Sequence, residues 1–190
     1  MQHDEVRVKG TPVKSFLAFL DQDLTPEQRG RVFEAQSGDL VGRMRDQQIL
    51  ATEYVPVSVL NQLTIEAARV KGEPMESFAR RAGAFAAREA VNTVMRFLVR
   101  IFTPDTLLQK ASSIWRSVYD RGEMKATRES EGKARVVILD FPSEPAGCAR
   151  ITGWMEGMVA MTKVKNPVVR QVKCFSKGAP ACEWEIHWTV

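Results

Sequence analysis

A chain of 190 residues, 44% hydrophobic and 26% charged, is long enough to bury a substantial core and too apolar for disorder. Its net charge of +4 comes from Lys and Arg interleaved with Asp and Glu, which argues against nucleic acid as the partner. No run of about 18 apolar residues offers a membrane span. The amino-terminal MQHDEVRVKG is charged and has no apolar core, so it does not read as a secretory signal. Three cysteines, an odd number without a dense framework, read as reduced thiols in a cytoplasm.

In chain order, Val6 and Val8 alternate with charge and predict a short strand. Gly10 and Thr11–Pro12 turn into a helix with apolar positions Val13, Phe16, Leu17 and Leu20. Thr25 is a helix cap with Pro26 in the first turn of the next helix. Asp39 to Arg45 is weakly patterned, and Ile49 to Tyr54 suits extended chain. After Pro56 a helix runs through Val59, Leu60, Leu63, Ala67 and Val70 to end at Lys71–Gly72.

A longer helix is expected from Pro74 to Phe102, with Phe78, Ala82, Phe85, Glu89, Thr93 and Phe97 along one flank. Ala79, Gly83, Ala86, Ala87 and Ala90 lie beside them. Small residues at that spacing admit another helix, internal or from a second copy, and on this ground we expect a homodimer. Thr103–Pro104 opens one more helix, through Leu107, Leu108, Ala111, Ile114, Trp115 and Tyr119.

Beyond Asp120–Gly122 the period changes. Glu123–Arg128 and Ala134–Asp140 read as strands about a turn at 129–133, and a helix follows from Ala146 to Met161. Strands over 167–175 and 182–188 close the protein. The expected fold class is α+β in a single domain, 1–190. A mainly helical half, 1–120, packs on a small antiparallel β-β-α-β-β half, 121–190.

The cysteines, Cys148, Cys174 and Cys182, are the first candidates for chemistry. Three thiolates are one ligand short of a tetrahedral zinc site, and buried thiols also serve as small hydrophobes. Strict alternation puts Cys182, Trp184, Ile186 and Trp188 on one strand face. Glu183, Glu185 and His187 fall on the other, as a charge ladder with Lys173 or Arg170. His3 and His187 are the only histidines, one terminal and one on the solvent face. Haem held by histidine and histidine acid–base catalysis are therefore disfavoured, and no catalytic residue is assigned. Gly153 and Gly157 are expected to let the late helix lie tightly on the sheet. Trp115, Trp154 and Met158, with Trp184 and Trp188, are the candidate walls of a ligand pocket.

The run Tyr119-Asp-Arg-Gly122, Pro142, Cys148, Gly153-Trp-Met-Glu-Gly157 and Cys174-x3-Gly178-x3-Cys182 resembles the 4-vinyl-reductase domain over about residues 110 to 190. That domain is related in fold to haem–nitric-oxide-binding domains and serves as a ligand-sensing module. Over nearly its whole length, including Val8-Lys-Gly10 and Thr103-Pro-Asp-Thr-Leu107, the chain is similar to an uncharacterised myxobacterial paralogous family. The resemblance implies zinc on Cys148, Cys174 and Cys182, with Gln171 at the position where zinc-bearing members carry a glutamate. It implies no haem, because no histidine lies between residues 4 and 186. The leading expectation is a non-enzymatic sensory domain with a small apolar ligand between its halves, signalling by association with a protein partner or a second copy. A dimeric interaction module without ligand, and a tetrapyrrole-handling enzyme or carrier, are the alternatives.

Overall fold

The computed structural model describes residues 5–90 and 103–189. Strand β1 (Arg7–Lys9) leads directly into helix α1 (Gly10–Asp23), which buries Val13, Phe16, Leu17, Phe19 and Leu20. Positions three and four apart share one helix face, so this spacing makes one apolar stripe. Helix α2 (Pro26–Glu34) opens with a reciprocal cap. The Gln28 backbone N–H donates to Thr25 Oγ1 at 3.2 Å, and the Thr25 N–H donates to Gln28 Oε1 at 3.0 Å. The weakly patterned stretch forms a short helix, α3 (Asp39–Arg45), which buries Val41 and Met44.

Strand β2 (Tyr54–Pro56) pairs antiparallel with β1, Val8 opposite Val55. Helix α4 (Val57–Lys71) ends at Gly72, whose φ of 74° is the left-handed cap that glycine favours. Helix α5 spans Met75–Ala90, and the expected positions Thr93 and Phe97 lie outside the described residues. Helix α6 (Pro104–Val118) begins at a Thr103 cap. Its carboxyl end is tied to β1: Val8 bridges to Tyr119, and Arg7 pairs with Asp120 at 2.8 Å.

Strands β3 (Glu123–Ser130) and β4 (Lys133–Leu139) form a hairpin whose tip is tighter than the turn expected over 129–133. It closes on Glu131 and Gly132, with Gly132 at φ 76°. Helix α7 (Pro145–Ala160) crosses to β5 (Lys165–Lys173), which returns through a short 3-10 turn to β6 (Cys182–Thr189). The sheet is antiparallel with order β3-β4-β6-β5, so β6 is interior. The α+β class and the β-β-α-β-β order of the second half are as the sequence predicts.

The glycines of α7 act differently from expectation. Gly153 and Gly157 face α5, not the sheet. A Cβ on Gly153 would overlap the Arg80 carbonyl, and one on Gly157 would press on Ala84 and Ala87. Reciprocally, a Cβ on Gly83 of α5 would overlap the Arg150 carbonyl. The two backbones therefore touch, which only residues without a Cβ allow. Ala79, Gly83 and Ala87 are buried by this internal crossing. The small-residue stripe is thus occupied from within, and it lends no support to the expected homodimer.

The crossing yields a direct test. Gly153→Ala is expected to destabilise the fold by roughly 1–3 kcal/mol or more through overpacking. Gly42→Ala in α3, where an added Cβ meets nothing within 4 Å, should be neutral or slightly stabilising. Urea unfolding of the two variants would check the contrast, and equal midpoints would contradict the close approach.

Candidate functional site

A cavity of about 420 Å³ lies among α1, α5, α6 and α7. Its apolar wall is built by Phe16, Ala82, Ala86, Ile114, Trp115, Met124, Ile151 and Trp154, with Gly83 leaving room where α5 meets α7. Trp115 is held rigidly: its indole N–H donates to the Arg121 carbonyl at 3.0 Å. Its ring packs against Tyr119 at 4.2 Å and edge-on to Phe141 at 4.8 Å between centroids.

Of the predicted pocket residues, Trp115 and Trp154 line this cavity. Met158 does not. It borders a separate gap of about 60 Å³ between α6, α7 and the sheet, with Trp154 and Trp188. Trp184 belongs to the core, fully buried, its indole N–H donating to Thr152 Oγ1 at 2.8 Å.

Two polar residues of the cavity wall escape the sequence reading. Arg150, on α7, is surrounded by protein yet keeps accessible area on the cavity side. Its Nη1 donates to Thr64 Oγ1 and its Nη2 to Asn61 Oδ1, both at 3.0 Å, and Asn61 in turn donates to Glu144 at 2.9 Å. Burial pulls its pKa below the ordinary guanidinium value, although arginine stays charged in proteins. Tyr119 also lines the cavity, and burial pushes its phenol pKa up. Its hydroxyl has no hydrogen-bond partner among the described residues. The signal for Arg150 is present in the sequence, as the one charge in the otherwise apolar and small stretch Ala146–Met155.

The three cysteines are brought together on the far side of the same helix. Cys148 comes from the first turn of α7, and Cys174 and Cys182 from the two sides of the β5–β6 connection. Cys148 Sγ lies 3.6 Å from Cys174 Sγ and 3.7 Å from Cys182 Sγ, and all three sulfurs fall within 4.8 Å of one another. All are free thiols and buried. Ser143 Oγ stands 2.8 Å from Cys182 Sγ and accepts from Cys148 at 3.3 Å, while the Phe175 N–H donates to Cys182 at 3.3 Å. The Cys148 thiol and these donors hold the Cys182 pKa below the ordinary thiol value, and Cys148 is pushed up in turn.

The Gln171 side-chain N–H donates to the Lys173 carbonyl at 3.1 Å. The nearby Glu144 carboxylate is turned to Asn61. Glu183 and Glu185 form a ladder with Lys173, Lys133 and Arg135, and exposed His187 sits beside Glu185 at 3.3 Å. This is a network of ion pairs along the sheet rather than a catalytic pair.

Replacing Cys182 by Ala would strand the Phe175 N–H and remove the acceptor at Ser143. We expect a loss of roughly 1–3 kcal/mol in reducing buffer. Ser176→Ala, on an exposed residue 3.0 Å from Cys174, should cost far less. Denaturant titration of both variants would check the difference.

No protein-family model and no curated protein matches the chain. Solved structures do. An H-NOX protein from S. oneidensis in the Fe(II)NO ligation state superposes with a TM-score of 0.74 at 11% identity, over 96% of this chain and 99% of that one. An Fe(II) unliganded H-NOX mutant from K. algicida gives 0.72 at 9% identity, covering 96% and 97%. A single-residue mutant of the T. tengcongensis H-NOX gives 0.68 at 12% identity, covering 96% and 98%. Another neighbour, with a TM-score of 0.70, is described by the modulation of haem redox potential through porphyrin distortion.

These findings correct the expectation on cofactors. The want of histidine argues against haem, yet the structures that share this architecture are named for haem and its iron ligation. Histidine is also not the only axial ligand of haem, since tyrosine and methionine serve elsewhere, and Tyr119 and Met124 both line the cavity. The zinc expected from the cysteine spacing gains nothing from neighbours described by iron and haem. Among the described residues no helix is long and apolar enough to cross a membrane. Across nearly its whole length the chain has the fold of the H-NOX proteins.

Proposed function

We propose that this chain is a non-enzymatic sensory domain that encloses a small, largely apolar ligand in the cavity among α1, α5, α6 and α7. The cavity itself carries this reading: about 420 Å³ with aromatic and aliphatic walls is within the range of small-molecule sites. The chemistry around it supports binding over catalysis. Among the described residues its lining offers no carboxylate, histidine or thiol to act as base or nucleophile. The thiols lie across α7, and the glutamates of β6 are held in ion pairs.

The shared architecture with H-NOX structures, whose descriptions name ligation states, supports the same reading. Haem belongs to the ligand class to be tried, with Tyr119 and Met124 as the donors the wall presents. Output would pass to a protein partner by association.

Native mass spectrometry of the purified chain is expected to show a bound small molecule that denaturing conditions release. A neutral apolar probe, N-phenyl-1-naphthylamine, should bind one per chain. Ala86→Phe, which fills the cavity from α5, should weaken that binding by roughly tenfold or more. If the probe binds both proteins equally, or neither, the cavity is not a ligand site.

A further inference from the structure

The charges of the cavity are one-sided. Among the described residues Arg150 and Lys9 line it, and neither Asp nor Glu does. Other arginines packed between elements are matched by acids: Arg81 holds Asp23 at 2.6 Å and Glu73 at 2.7 Å, Arg80 pairs with Glu156, and Arg43 holds Glu53 at 2.6 Å. Arg150 is matched by neutral oxygens alone. Among the described residues its guanidinium contacts Thr64 Oγ1 and Asn61 Oδ1 and makes no ion pair. Glu144 is reached only through Asn61.

A guanidinium has five N–H donors, and two of them are used. A buried charge that faces neutral dipoles on one side and a cavity on the other is costly unless something anionic occupies that cavity. The unpartnered Tyr119 hydroxyl supplies a further donor on the same wall. The Lys9 side chain also has no ion-pair partner among the described residues.

We propose that the cavity takes an apolar molecule bearing an anionic head, a carboxylate or its equivalent, and that Arg150 receives that head while Trp115, Trp154 and Ile151 cover the apolar body. Thr64 and Asn61 orient the guanidinium from the α4 side by taking one hydrogen each from Nη1 and Nη2. Its remaining donors are left for the ligand. This rests on the reading of the cavity as a ligand site and narrows it from any apolar compound to anionic ones.

A matched pair of fluorescent probes separates the two claims. 8-Anilinonaphthalene-1-sulfonate and N-phenyl-1-naphthylamine share an aromatic frame, and only the first carries an anion. The wild-type chain is expected to bind the sulfonate at least roughly tenfold tighter than the neutral probe. Arg150→Met should erase that preference by weakening the sulfonate at least roughly tenfold more than the neutral probe, whereas Arg150→Lys should keep part of it. Ala86→Phe should abolish binding of both.

Equal affinities in the wild type, or a sulfonate preference that survives Arg150→Met, would overturn the anionic-head proposal while leaving the cavity site standing. Sulfonate binding that survives Ala86→Phe would place the probe on the surface and overturn it too. Failure of both probes to bind would remove the cavity reading itself. If Arg150→Met does not fold by circular dichroism, the wild-type preference and the Arg150→Lys response decide the matter.

Discussion

Two helix backbones in contact, α5 against α7, fix nearly everything that surrounds the cavity. Gly83 lies under the Arg150 carbonyl and Gly153 under the Arg80 carbonyl, so each helix supplies the gap into which the other fits. Backbone contact sets both the depth and the rotation of α7. That rotation turns Arg150, Ile151 and Trp154 toward the cavity. It also leaves Cys148 and Thr152 on the sheet side, where Thr152 accepts from Trp184 and donates to the Cys148 carbonyl. Arg80 and Glu156 close the edge of the same crossing with an ion pair. A side chain on either key glycine would push α7 outward and shift the cavity wall with it.

Most local structure is legible in the chain because it depends on neighbours a few residues away. The Thr25 cap, the Gly72 stop and the Cys182–Trp188 alternation are of this kind. Which surface each element meets is not legible in the same way. Gly153 and Gly157 announce a close approach, but their spacing suits a helix and a sheet equally. The partner is decided by α5, far earlier in the chain. The pairing of β1 with β2, and of Val8 with Tyr119, is likewise long-range and carries no local signature. The cysteines are an intermediate case. A hairpin brings Cys174 and Cys182 near each other by local geometry, and packing of α7 adds Cys148.

The candidate site is half legible. Trp115 and Trp154 stand out as large aromatics, and aromatics gather at pockets and cores alike, so Trp184 looks the same in the sequence and is core. Arg150 carries the stronger signal. A single charge within an apolar helix must either find a partner or face a cavity. The rule against haem, which the shared fold of haem-named structures overturns as a basis for exclusion, is narrow for a related reason. It counts one residue type, whereas iron donors include phenols and thioethers, which in a sequence look like ordinary core residues.

Helix α7 carries two unlike environments within one turn. Cys148 and Arg150 are two residues apart, so their side chains diverge by roughly 200° around the axis. One enters a closed cluster of sulfurs and hydroxyls, and the other faces an open cavity. Cys182 accepts a hydrogen bond from the Phe175 N–H, and its sulfur lies within hydrogen-bonding distance of Ser143 and Cys148. Arg150 has no such closure, because the neutral oxygens of Thr64 and Asn61 orient a cation without neutralising it. Both sites are buried, yet among the described residues the Arg150 guanidinium makes no ion pair. A buried charge that neutral oxygens orient without neutralising is what sets this wall apart from the packed core around Trp184.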